Sequence, residues 1–137
     1  MSTDPGVADG TEPREVIHFV TQKTRFALVN NILQHPEGLP SMYELEELNP
    51  SVSDATVYKH VQKLIDAGIV EAVALPQDER RQGYPWKFYG LTDEGRKFLD
   101  EHNLLAAEET LQRIYETISD KPEKMVKYEN APRPDDV

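Results

Sequence analysis

The stretch SDATVYKHVQKLIDAG, Ser53 to Gly68, combines a start signal, a one-sided apolar pattern and a stop signal, and it constrains the fold more than any other part of the chain. Ser53 is placed to cap a helix, because its hydroxyl oxygen can accept a bond from a backbone N–H that the first turn leaves unpaired. Val57, Val61, Leu64 and Ile65 fall at i, i+4, i+7 and i+8, which predicts one buried face. Gly68 stands where a left-handed residue ends a helix, and Ile69 and Val70 begin a β-branched run suited to a strand. The opposite face carries Asp54, Thr56, Tyr58, Lys59, Gln62 and Lys63, a mixture of donors, acceptors and two cations. Such a face is either ordinary solvated surface or one that can meet base edges and phosphates in a groove wide enough to admit a helix.

The flanking segments fit a small domain built to present that helix. Phe19, Phe26, Val29, Ile32 and Leu33 predict a helix from about Thr21 to His35, closed by Pro36 because a residue before proline avoids the helical region. Lys23 and Arg25 lie in its first turns, where cations oppose the helix dipole; phosphate contact and plain surface location are both open for them. Ser41 stands three residues before Glu44, the capping-box spacing, and Met42, Leu45 and Leu48 supply the apolar edge of a short helix. A break at Pro50 to Ser53 then leads into the capped helix, which is the spacing of a helix-turn-helix.

After Gly68, Ile69–Leu75 and Trp86–Leu91 read as the two strands of a hairpin, joined by the charged, proline-flanked loop PQDERRQGYP. Arg80 and Arg81 near its tip suit a phosphate backbone or a minor groove, or else a solvated loop neutralised by Asp78 and Glu79. Thr92, Asp93 and Glu94 open a last helix, with Phe98 and Leu99 expected to pack back on the domain. Leu104, Ala107, Leu111, Ile114 and Ile118 then recur at 3, 4, 3, 4, a coiled-coil seam whose economical partner is a second copy of itself. The alternative is a seam folded back on the chain's own first helix.

The expected organisation is an acidic disordered leader over 1–15, a domain over 16–92, a dimerisation helix over 93–119 and an extended tail over 120–137. No apolar run approaches the length of a membrane span, and the amino-terminal stretch has no signal-peptide pattern, which predicts a cytoplasmic protein with no membrane partner. Without cysteine, disulfides, thiolate metal sites and thiol redox switching are excluded. The net charge of −10, from 25 acidic and 15 basic residues, opposes phosphate binding. The acid is unevenly spread, however: from Asp93 onward there are 12 acidic and 7 basic residues, with a further block at Glu37, Glu44, Glu46 and Glu47. An acidic surface also suits a cytoplasm at molar potassium, where screening cuts the phosphate contribution and direct contacts must carry more of the binding.

Two segments resemble known proteins. SDATVYKHVQKLIDAGIVE is similar to the recognition helix and first wing strand of the ArsR, MarR and PadR groups of winged helix-turn-helix regulators, and FYGLTDEGRKFL to the strand and helix that close the wing there. With HFVTQKTRFALVNNILQHPEGLPSMYELEELNPS, the likeness spans about Ile17 to Leu99 and has the style of haloarchaeal members, including the redox-responsive RosR type. It implies a mainly α protein with a small β-hairpin (α+β), a winged helix-turn-helix with a long C-terminal dimerisation helix. It further implies that Ser53, Asp54, Ala55, Thr56, Tyr58 and Lys59 face the major groove, with Lys63 toward phosphate and His60 either a base reader or a packing residue. Arg80, Arg81, Gln82 and Lys87 would be wing contacts. Asp54 departs from the neutral residue common at its position and would repel phosphate unless it accepts from cytosine or holds a cation.

A metal-sensing subgroup of ArsR proteins uses Asp, His, His and Glu across its dimer helices. Asp100, His102 and Glu116 fit that spacing, but Arg113 stands at the second histidine and cannot ligate. No metal or organic cofactor is therefore expected, monovalent ions at the acidic surface or the DNA interface aside. His18 and His35 look isolated, and nothing resembles a catalytic constellation, so the chain reads as no enzyme. The resulting expectation is a homodimeric regulator that binds double-stranded DNA, responding to oxidative or ionic stress. The alternatives are a winged-helix module that docks on protein in the transcription machinery and a metal or small-ligand sensor.

Overall fold

Pro13 stands at the start of the first helix, where a missing N–H costs nothing, and Glu15 favours its positive end. The computed structural model describes residues 12–105 and 121–134. Helix α1 (Pro13–Val20) buries Val16, Phe19 and Val20, and Thr21 closes it by donating its hydroxyl and backbone N–H to the Ile17 carbonyl. Helix α2 (Lys23–Gln34) follows with Gln22 as its cap, the side-chain oxygen accepting from the Arg25 N–H at 3.0 Å. The single helix expected from about Thr21 is thus preceded by a separate one, begun inside the stretch read as leader. Phe26 is only half-buried, and Leu28, Val29, Ile32 and Leu33 form the inward stripe instead. His35 ends α2 in an extended conformation, as a residue before proline requires.

Helix α3 (Met42–Glu47) carries the capping box in full: Ser41 Oγ accepts from the Glu44 N–H, and the Glu44 carboxylate accepts from the Ser41 N–H at 2.7 Å. Buried Asn49 donates to Asn31 Oδ1 and to the Leu45 carbonyl, both at 2.7 Å, which ties the turn after α3 to α2. Helix α4 (Asp54–Asp66) starts at Ser53, whose Oγ accepts from the Thr56 N–H, and it ends before Gly68 at φ +75°. Val57, Val61 and Leu64 of α4 are buried against α2 and join the main core with Val16, Phe19, Val20, Ile69, Val70, Tyr89 and Leu99.

Strands β1 (Val70–Ala74) and β2 (Lys87–Leu91) pair antiparallel, with Val70 opposite Leu91 and Ala74 opposite Lys87. On its outer side β2 is tied down by the Tyr89 N–H, which donates to the Pro40 carbonyl at 2.9 Å. The connecting loop contains a single 3₁₀ turn, Gln77–Glu79. Helix α5 (Asp93–Glu101) is capped by Thr92, whose hydroxyl accepts from the Gly95 N–H and donates to the Gly68 carbonyl, so one side chain joins the ends of α4 and α5.

Two C-terminal expectations need correction. The helix expected to run over 93–119 closes at Glu101: Asn103 takes φ +59° and the Leu104 N–H reaches back to the Leu99 carbonyl at 2.7 Å, a helix-terminating turn. Leu104, the first residue of the proposed seam, lies against the chain's own core, while Ala107, Leu111, Ile114 and Ile118 fall outside the described residues. The tail expected to be extended contains helix α6 (Glu123–Glu129), which buries Met125 and sets Tyr128 against Tyr43 of α3, ring centroids 5.0 Å apart. Seven residues are too few for a periodic pattern to be legible, which is why composition alone suggested a tail.

Candidate nucleic-acid interface

The exposed face of α4 begins at its cap. Ser53, Asp54 and Ala55 are exposed, Thr56 is half-buried with its hydroxyl accepting from Ser53 Oγ at 2.9 Å, and Tyr58 and Lys59 stand clear of the domain. Tyr58 keeps 54% of its surface, the largest exposure among the big apolar side chains described, so nothing in the described chain covers this face. Lys63 is half-buried. The wet face and the buried face of α4 are therefore separated along the helix as the 3.6-residue period demands.

His60 lies at the seam between those faces. Its Nδ1 is 3.2 Å from Arg25 Nη1, and because guanidinium only donates, Nδ1 must accept, which leaves the ring proton on Nε2. Burial, then Arg25, Lys63 and Lys59, hold the imidazole pKa below its ordinary value. Arg25, a candidate for phosphate contact, is turned inward: Nε donates to the Phe19 carbonyl at 2.8 Å and the guanidinium lies 4.2 Å from the Phe19 ring centroid. Its role is to buttress α4 from α2. Lys23 is exposed at the start of α2.

The wing divides its candidates in the same way. Arg80 folds back, Nε donating to the Leu75 carbonyl at 3.0 Å with the guanidinium stacked 3.8 Å from the Trp86 ring. Arg81, Gln82 and Lys87 remain exposed, and Gly83 turns the tip at φ +82°. Adjacent arginines thus have different occupations, one bracing the loop and one facing out.

The sequence reading missed a buried charged cluster behind this surface. His35 and Glu44 are both fully buried, with His35 Nε2 2.9 Å from Glu44 Oε1, while His35 Nδ1 accepts from the Glu37 N–H. Arg133 reaches in from the C-terminal segment: Nη2 donates to Glu44 Oε2 at 3.1 Å, and Nε and Nη1 donate to the carbonyls of Leu39, Tyr128 and Ala131. Its guanidinium also covers the Phe88 ring at 4.2 Å, which couples α3, the hairpin and the tail at one point. Burial raises the Glu44 pKa, but the His35 ring, the Ser41 N–H and Arg133 outweigh it and hold the carboxyl below its ordinary value. The capping box was the one visible signal that Glu44 would be structural, and it gave no hint of the partners.

Of the residues considered for a metal, Asp100 is exposed and His102 ends α5 with its ring 4.4 Å from Phe98, while Glu116 lies outside the described residues. No cluster of three potential ligands occurs among the described residues.

A helix pair whose second member shows an uncovered polar face, followed by an antiparallel hairpin with an exposed cationic tip, defines a winged helix-turn-helix. The chain is similar to a solved protein with a GntR superfamily winged-helix-turn-helix domain from Halomicrobium mukohataei, at 29% identity and a TM-score of 0.79, over 90% of this chain and 87% of that one. No protein-family model and no curated protein matches the chain. Among the described residues no helix is long and apolar enough to cross a membrane.

Proposed function

We propose that the chain is a sequence-specific, DNA-binding transcriptional regulator of the ArsR, MarR and PadR kind, acting in the cytoplasm as a homodimer without a metal or organic cofactor. Each protomer lays α4 in a major groove and sets Arg81, Gln82 and Lys87 of the wing on the backbone or minor groove, with half-sites about 34 Å apart, one helical turn. The observation that carries this reading is the uncovered face from Ser53 to Lys59 on a helix whose other side is fixed in the core. Response to oxidative or ionic stress is part of the same proposal and rests on the sequence resemblance to haloarchaeal regulators. Dimerisation rests on the sequence pattern of the seam, of which Ala107, Leu111, Ile114 and Ile118 are the residues left to meet a second copy once Leu104 packs on its own core.

The negative charge favours a rival reading, a winged-helix module that docks on a basic protein partner. Against it, Lys59, Arg81 and Lys87 make no ion pair with a carboxylate among the described residues, so three cations on the outward side are open to phosphate. Retention of genomic duplex fragments by the full chain in molar potassium chloride separates the two. The expected result is enrichment of particular fragments, lost in Tyr58→Ala/Lys59→Ala; a parent protein that retains no duplex even at low salt sinks the proposal. Leu111→Asp is expected to give monomers in sedimentation with loss of fragment retention, and a dimer surviving that change refutes the seam.

A further inference from the structure

The C-terminal helix brings a cation to the wing tip. Lys127 Nζ lies 4.4 Å from the Tyr84 ring centroid, and the guanidinium of Arg81 lies 5.1 Å from the same ring. Two cations from different elements thus share one aromatic ring, beside Gly83, where a Cβ would stand 3.6 Å from Lys127 Nζ. Among the described residues neither cation is paired with a carboxylate. Their mutual repulsion is offset in part by the ring quadrupole, and anionic groups bound at the two cations would offset it further. One turn earlier, Lys124 sits 4.3 Å from the Tyr43 ring and 5.3 Å from that of Tyr128, which fixes α6 against α3. Lys124 and Asp54, in the first turn of α4, line one cavity, together with Glu46 and Glu47, while Glu123 lies beside Lys127 in the next. A row of Lys124, Lys127 and Arg81 therefore leads from the capped end of α4 to the wing.

We propose that α6 is a third DNA-contacting element, in which Lys127 and Arg81, both held by Tyr84, bind the DNA backbone beside the wing tip and Lys124 contacts the backbone one step closer to α4. The inference rests on the DNA-binding reading and goes beyond it, since neither the helix-turn-helix nor the wing contains these lysines. The chemistry recognised is the phosphodiester of duplex DNA, with no base identity read there.

The test compares the full-length parent with Lys124→Gln/Lys127→Gln and Lys124→Arg/Lys127→Arg, titrating a random-sequence 30-base-pair duplex by fluorescence anisotropy at several potassium chloride concentrations. Each phosphate contact contributes about 0.9 to the slope of log affinity against log salt, so the glutamine pair is expected to lower the slope by about 2 per bound protomer. The arginine pair is expected to restore it, which a merely structural role would not require. Lys127→Gln alone, leaving the Lys124 packing intact, is expected to lower it by about 1 and covers the case in which the double variant unfolds. Parent slope in a folded glutamine variant, while Lys59→Gln weakens binding, overturns this inference and spares the proposed function. Failure of the parent to bind the duplex overturns both.

Discussion

Replacing Arg133 by alanine removes a charge-assisted bond to Glu44, three bonds to backbone carbonyls and the cover over Phe88 in one step. The Arg133 side chain is 6% exposed and that of Glu44 fully buried, so the pair is a buried one. Breaking such a pair costs about 3–5 kcal/mol, mostly because the remaining charge is left without compensation. Here Glu44 retains His35 and two bonds from Ser41, which places the expected loss near the lower end, about 3 kcal/mol. At about 4 °C per kcal/mol for a domain of this size, the melting temperature should fall by about 12 °C. Thermal unfolding followed by circular dichroism measures this directly. The drop should persist in molar potassium chloride, because buried pairs are screened far less than surface ones. Trypsin gives a second readout: exposed Lys124 and Lys127 on a docked α6 resist cleavage in the parent and become early sites in the variant. A shift below about 2 °C with unchanged cleavage would show that Arg133 does not hold the tail in place.

Glu44→Gln tests the same cluster by pH. A carboxyl held below its ordinary value contributes stability above that value and loses it as pH falls through the lowered folded one, so the parent's advantage over Glu44→Gln should be full at neutral pH and vanish in acid. His60 behaves with the opposite group charge but the same sign. Its folded imidazole resists a proton that the unfolded chain accepts, so stability should fall as pH drops below the ordinary histidine value, and His60→Gln should flatten that limb of a melting-temperature profile. Gly95→Ala would drive a methyl group into the Ile69 backbone, which has no rotamer by which to yield; a loss of about 3 kcal/mol or more in denaturant unfolding is expected, and near-parent stability would show that α5 can shift away. Ser53→Ala should cost about 1 kcal/mol through its cap, and an unchanged midpoint would mean that the Ser53–Thr56 bond contributes nothing.

The elements written in local chemistry were legible without coordinates. Ser53, the Val57–Leu64 stripe and Gly68 define α4 within sixteen residues, and the Ser41–Glu44 box and the Thr92 cap define two more helix starts in the same way. Each signal there needs only backbone groups one turn away and the 3.6-residue period, so sequence and structure agree. The occupations of individual cations could not be read at that range. Arg25 meets His60 across 35 positions, Arg133 meets Glu44 across 89, and Lys127 meets Tyr84 of the wing. Sequence by itself determined the helix that faces outward and the hairpin beside it; only tertiary structure decided that Arg25 and Arg80 are used internally, that His35 is a buried partner and that the tail folds into α6. The reason is range: a cap or an apolar stripe is complete within a few bonds of its own backbone, whereas a guanidinium that has left water takes whichever carbonyl or carboxylate the topology brings to it.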